Sequence, residues 1–138
     1  MSNQRYELQP VGWVESQLID RSAAPKQGDE RAPIARIVFE PTYREAASDL
    51  RPGDEVLVLT WLHLSDWTRL SVHPRGDRSR PITGVFSTRS PDRPNPIGLH
   101  AVTIESVADG AIAVRNLEAV HGTPVLDIKP VLADQRER

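Results

Sequence analysis

Apolar residues recur along this chain in short runs, each closed by proline, glycine or a cluster of charge. That is the period and punctuation of β-strands. Residues 8–14 and 35–39 read as the first two strands. Residues 56–62, Val-Leu-Val-Leu-Thr-Trp-Leu, are continuously apolar and β-favouring, which predicts a strand central in the sheet and buried on both faces. Shorter strands are expected at 67–73 and 83–87. Residues 101–107 and 112–117 flank Asp109-Gly110 and give the clearest hairpin signal. A last strand includes 125–128. One short helix is expected over 41–50, opened by Pro41, carried by Glu45-Ala46-Ala47 and broken by Arg51-Pro52-Gly53-Asp54. Strands without βαβ alternation predict a mainly β fold over residues 1–138: a single-domain β-barrel or strongly curved sheet with one short helix and long functional loops. The polar stretch 20–33, with Pro25, Gly28 and Pro33, is one such loop.

Two segments combine proline with chemistry. In Gly84-Val85-Phe86-Ser87-Thr88-Arg89-Ser90-Pro91-Asp92-Arg93-Pro94-Asn95-Pro96-Ile97-Gly98-Leu99, core-forming sequence passes into a stiffened polar loop. Its prolines fix φ and exclude helix before them, so Arg89, Arg93 and Asn95 are presented from one predetermined conformation. The second segment, His121-Gly122-Thr123-Pro124-Val125-Leu126-Asp127-Ile128-Lys129-Pro130, holds Asp127 and Lys129 among apolar neighbours. Asp-Ile-Lys puts both charges on one face of a strand, where they touch each other or a common ligand.

Composition narrows the possible partners. Seventeen Lys and Arg against nineteen Asp and Glu in 138 residues leave a net charge of −2, so there is no global pull toward nucleic acid. RNA would require a local patch. Arg75, Arg78 and Arg80 with Arg89 and Arg93 form such a concentration, although Gly76, Asp77 and Ser79 make 75–80 read as a solvated loop. The absence of cysteine excludes disulfides and thiolate metal sites. His63, His73, His100 and His121 are scattered without ligand spacing, so no metal is expected. No apolar run approaches the roughly 20 residues that cross a bilayer, and Met1-Ser2-Asn3-Gln4-Arg5 lacks the apolar stretch of a secretion signal. A cytoplasmic protein without membrane association is expected. Gly84, Gly98, Gly110 and Gly122 are too dispersed to form a phosphate cradle, so no Rossmann fingerprint is present.

Together the two proline-bearing segments closely resemble the TrmO family, also called TsaA-like or UPF0066, of S-adenosylmethionine-dependent tRNA methyltransferases. The resemblance runs over residues 11–130 and is nearly verbatim in the central loop. It implies a β-barrel that holds S-adenosyl-L-methionine at Gln27, Gly28, Asp29, His63, Leu64, Arg89, Leu99, Asn116, Leu117 and Glu118. Arg89 offers the cofactor carboxylate a planar two-donor fork, or else forms a surface salt bridge. Glu118 would receive the ribose hydroxyls. The implied substrate is threonylcarbamoyl-modified adenosine beside the tRNA anticodon, with Asp127 as base or orienter. Lys129 would pair with the substrate carboxylate, Asn95 would orient the carbamoyl group, and Arg93 would bind substrate. Asp127 and Lys129 read equally well as a supporting ion pair. A homodimer is implied in which the prolyl loop of one subunit completes the site of the other. Trp13, Trp61 and Trp67 are candidate interface anchors, and each also suits a core. Four positions depart from the family pattern: Leu64 replaces Gln, Glu118 replaces Asp, His121 replaces Asp, and Val131 replaces the Tyr that follows Lys-Pro. A lost aromatic removes about 1–3 kcal/mol of base stacking. That keeps open a same-fold methyltransferase for a small metabolite, or a non-catalytic protein that senses cofactor or RNA.

Overall fold

The computed structural model describes residues 3–17 and 34–133. Its strands are β1 (Gly12–Glu15), β2 (Ala35–Phe39), β3 (Glu55–Trp61), β4 (Ser71–Val72), β5 (Thr83–Gly84), β6 (Ile97–Ala108), β7 (Ala111–Arg115) and β8 (Pro124–Pro130). Six of them pair antiparallel in the order β1-β2-β7-β6-β3-β8, and the β1–β8 contact closes the ring into a barrel. Among the described residues, strands β4 and β5 pair with each other and stand apart from the barrel.

Alternation decides what fills the interior. Val14, Ile37, Val56, Val58, Val102, Ile104, Ile112, Val114 and Val125 all point inward and are almost wholly buried. Each such side chain contributes about 1.5–3 kcal/mol on leaving water. Leu117 plugs the same core from just beyond β7. At Gly12 the barrel closes so tightly that a Cβ would lie 2.5 Å from the Val38 carbonyl oxygen.

Several elements differ from the sequence expectation for physical reasons. Strand β3 lies between β6 and β8 in a closed ring that has neither central nor edge strand, and Leu57, Leu59 and Trp61 are only half-buried. Among the described residues no helix covers its outer face, so the continuous apolar run resolves into inward and outward halves. The helix is a 3₁₀ segment, Pro41–Ala47, with no buried residue, and it lacks the packed apolar face that sustains an α-helix. The first strand begins at Gly12, with Leu8 left exposed. The strands expected at 67–73 and 83–87 shrink to β4 and β5, the latter running into a 3₁₀ turn, Val85–Ser87. Strand β6 starts at Ile97, earlier than expected, while β7 stops at Arg115 because Asn116 turns left-handed (φ 70°). The Asp109-Gly110 hairpin is as expected, with Gly110 at φ 76°.

One irregularity bears on the site. Along β8, Leu59 pairs with Asp127 while Thr60 pairs with Val125, so the register slips by one residue at Leu126. Val125 therefore faces inward and Asp127 outward, although they are two residues apart.

Candidate functional site

A cleft of about 1530 Å³ opens at one end of the barrel, where β3 ends, β6 begins and the 116–123 segment runs between β7 and β8. It exceeds the roughly 300–1,000 Å³ of a single small-molecule pocket. Residues 86–95 form one wall, and His63, Leu64, Asn116 and Glu118 also line the cleft.

The prolyl wall is held by its own hydrogen bonds. The Thr88 hydroxyl donates to the Val85 carbonyl, Ser90 N donates to Thr88 Oγ1, and Asp92 N donates to Ser90 Oγ. The Arg93 guanidinium donates to the carbonyls of Thr88 (2.9 Å) and Ser90 (3.1 Å) and lies 5.9 Å over the exposed Phe86 ring. Arg93 therefore braces the hook as well as lining the cleft. Asp92 Oδ1 accepts from Asp66 N, tying the hook to the loop after β3, and Leu62 N donates to the Pro96 carbonyl. Asp66 in turn accepts from the Thr68 hydroxyl and amide, which hold its carboxyl below the ordinary carboxylate value. Asn95 takes a left-handed conformation (φ 47°) at the exposed tip, a geometry asparagine tolerates better than most residues.

The cleft gathers Arg89, Arg93, Asn95, His63, Leu64, Leu99, Asn116 and Glu118. Leu117 does not line the cleft: it is entirely buried in the barrel core. Gln27, Gly28 and Asp29 lie outside the described residues. Asp127 and Lys129 form an exposed ion pair of 2.9 Å on the outer face of β8, and Asp127 Oδ1 also accepts from Ile128 N. Asp127, Leu59 and Leu99 form one cross-strand row, which puts Asp127 about 10 Å from Leu99 at the usual strand spacing. Trp13 faces outward and donates to Glu40, while Trp61 and Trp67 meet edge to face.

Sequence reasoning missed two features. Arg69 lines the cleft, and so do Arg75 and Arg78, so of the two readings of the 75–80 stretch, basic patch or solvated loop, it is the patch beside Arg89 and Arg93 that borders the site. That stretch is built: His73 Nδ1 lies 2.8 Å from the Arg80 carbonyl, and Asp77 accepts from the Ser79 hydroxyl and amide, which hold its carboxyl below the ordinary value. The second is His100, buried on the cleft floor with Nε2 2.8 Å from Thr60 Oγ1. Burial pushes its pKa down to about 4, so the ring is neutral at pH 7. The inward parity of position 100 on β6 was the available signal. Among the described residues no cluster of His, Asp or Glu could hold a metal ion.

Fold and site define a small barrel domain with an arginine-rimmed cleft at its mouth and, among the described residues, no Rossmann turn. The model of the tRNA-methyltransferase O N-terminal domain matches residues 13–135, and the chain belongs to this family. It is 42% identical over 134 residues to a probable S-adenosyl-L-methionine-binding protein of Methanothermobacter thermautotrophicus, covering 97% of this chain and 96% of that protein. It is 35% identical over 133 residues to the rat tRNA (adenine(37)-N6)-methyltransferase, covering 91% of this chain and 31% of the rat protein. Among solved structures, TrmO from Pseudomonas aeruginosa superposes with a TM-score of 0.75 at 28% identity. The match takes in 99% of this chain, which spans 62% of that one.

Proposed function

We propose that this protein is an S-adenosyl-L-methionine-dependent methyltransferase that acts on N6 of threonylcarbamoyl-modified adenosine beside the tRNA anticodon. The observation that carries the reading is the braced prolyl hook facing the barrel mouth across a cleft rimmed by Arg69, Arg75, Arg78, Arg89 and Arg93. The similarity to the rat tRNA enzyme and to the archaeal binding protein supports it. The residues suit the cofactor's parts. Arg89 takes its carboxylate with a two-donor fork, Glu118 takes the ribose hydroxyls, and Leu62, Ala119 and Val120 offer an apolar slot for the base. His63, Leu64, Leu99 and Asn116 border the slot, Leu117 supports it from the barrel core, and Gln27, Gly28 and Asp29 belong to the same proposed site.

When bound, the cofactor supplies a methyl group on a cationic sulfur for in-line displacement. The carbonyl beside the substrate N6 acidifies its hydrogen, so the chain's main work is alignment. Asn95 and Arg93 orient the modified base, Lys129 pairs with its carboxylate, and Asp127 orients the nucleophile or takes its proton. Asp127 and Lys129 lie off the cleft of their own chain, which favours a homodimer in which they serve the hook of a second copy. Leu57, Leu59, Ile97 and Leu99 form an outward apolar row suited to that contact. The protein would act in the cytoplasm. Among the described residues no helix is long and apolar enough to cross a membrane.

A second reading, methylation of a small metabolite, draws on the net charge of −2 and on the half-exposed aliphatic Val131. Incubation with methyl-labelled cofactor and hypomodified tRNA separates the two. Label is expected in tRNA, with affinity falling steeply as salt rises. Cofactor binding without transfer to tRNA would overturn the tRNA assignment, and absence of cofactor binding would overturn the methyltransferase reading.

A further inference from the structure

His100 lies outside the motifs that carry the family likeness, yet it is buried on the inward face of β6. Among the described residues the buried polar side chains are Thr60, His100 and Thr123, and only His100 titrates in the accessible range. Strand β6 turns it inward two residues after Gly98, and the β3–β6 register puts Thr60 opposite Gly98. The imidazole and the Thr60 hydroxyl fill the space that Gly98 leaves open. A Cβ at position 98 would lie 2.5 Å from Thr60 Oγ1 and 2.7 Å from His100 Nε2. The ring is thus fixed on one side by Thr60 Oγ1 at 2.8 Å.

Among the described residues the other ring nitrogen, Nδ1, is buried without a hydrogen-bond partner, and His100 lines the cleft. A buried nitrogen left unsatisfied costs about 1–3 kcal/mol, so the arrangement favours a ligand that completes it. The neighbourhood limits which part of a ligand that is. Leu62, Ala119 and Val120 share the lining, and an unpaired charge desolvated among them is costly. The charged amino-acid end of a methyl donor is better served at the arginine rim. A planar group with apolar faces and a hydrogen-bonding edge suits the floor.

Resting on the methyl-donor reading above, we infer that His100 Nδ1, held in place through Nε2 by Thr60, hydrogen-bonds the purine edge of the donor's nucleoside half. His100 and Thr60 then form a positioning and recognition pair for the base. Neutral imidazole serves either way: a Thr60 hydroxyl that donates to Nε2 leaves Nδ1 a donor, and one that accepts leaves it an acceptor.

Two amide substitutions divide the ring's functions. Asn carries a polar atom near the position of Nδ1, and Gln carries one near Nε2. Calorimetric titration of the whole chain with S-adenosylhomocysteine and with methylthioadenosine, which lacks the amino-acid end, is the test. His100→Gln should weaken both ligands about tenfold at an unchanged melting temperature, the size of one buried hydrogen bond. His100→Asn should stay within about threefold of wild type. In ¹⁵N-histidine-labelled wild type, the His100 Nδ1 resonance should shift on addition of either ligand. Weakening of S-adenosylhomocysteine alone would overturn the purine assignment. Unchanged affinity in His100→Gln, equal weakening in both variants with loss of melting temperature, or an unmoved Nδ1 resonance would overturn the contact. Wild type that binds neither ligand would remove the methyl-donor reading itself, an outcome distinct from the others.

Discussion

Acidification should destabilise this barrel through His100 more than through any single carboxylate. Burial lowers the His100 pKa to about 4 from an ordinary 6.5. As pH falls the unfolded chain therefore takes up a proton that the folded chain refuses. Stability is full above about pH 6.5 and is lost progressively down to about pH 4. From these two values the loss is about 2 kcal/mol at pH 5 and about 3 kcal/mol at pH 4. For a chain of this size, 2 kcal/mol corresponds to roughly 8 °C in melting temperature. Asp66 and Asp77, both held below their ordinary value, add acid sensitivity of their own at lower pH. Urea denaturation of wild type and His100→Gln at pH 7, 6 and 5 cancels those contributions. The wild type should lose about 2 kcal/mol more than the variant between pH 7 and pH 5. Curves that stay parallel within about 0.5 kcal/mol would refute the assignment of a neutral, desolvated imidazole at this position.

Gly98→Ala forces a methyl against Thr60 and His100 and should cost about 1–3 kcal/mol in thermal melts, with weaker cofactor binding. Arg93→Ala removes two charge-assisted bonds to the hook carbonyls. It should cost about 1–2 kcal/mol and speed amide exchange across residues 88–96. Arg89→Ala should leave stability within about 0.5 kcal/mol while raising the cofactor Kd at least about tenfold by calorimetry. Asp127→Asn breaks an exposed pair, so stability should change by less than about 1 kcal/mol. Methyl transfer should fall about a hundredfold at unchanged cofactor Kd, and normal transfer would remove Asp127 from the chemistry.

The chain declares its strands through alternation and its loops through proline, so the mainly β barrel and the prolyl hook were legible. Strand edges were not, because Leu8, Leu70 and Phe86 are apolar residues left in solvent, and hydropathy alone assigns them to strands. The 3₁₀ geometry of 41–47 was hidden for a related reason: local propensity signals a helix, but only tertiary contact decides its type. Arg89, Asn95 and Glu118 could be placed near one another through motif likeness. Arg69 could not, since its approach to the cleft depends on the small β4–β5 sheet, and Arg75 was visible only as part of a basic stretch that also read as a solvated loop. His100 needed parity along a strand that begins at Ile97, and the sequence marked that strand only from 101 onward.

The register slip at Leu126 works like a frameshift in the alternating code of β8. Upstream of it odd-numbered positions belong to the interior, and downstream they belong to the exterior, which is how two charged residues follow a core valine in the same short strand. Pairing Leu126 in register instead of bulging it out would carry an unbroken code from Val125 onward and drive a carboxylate and an ammonium into the hydrocarbon centre. This single residue therefore separates a strand that can both seal the barrel and offer ionic chemistry from one that can do neither.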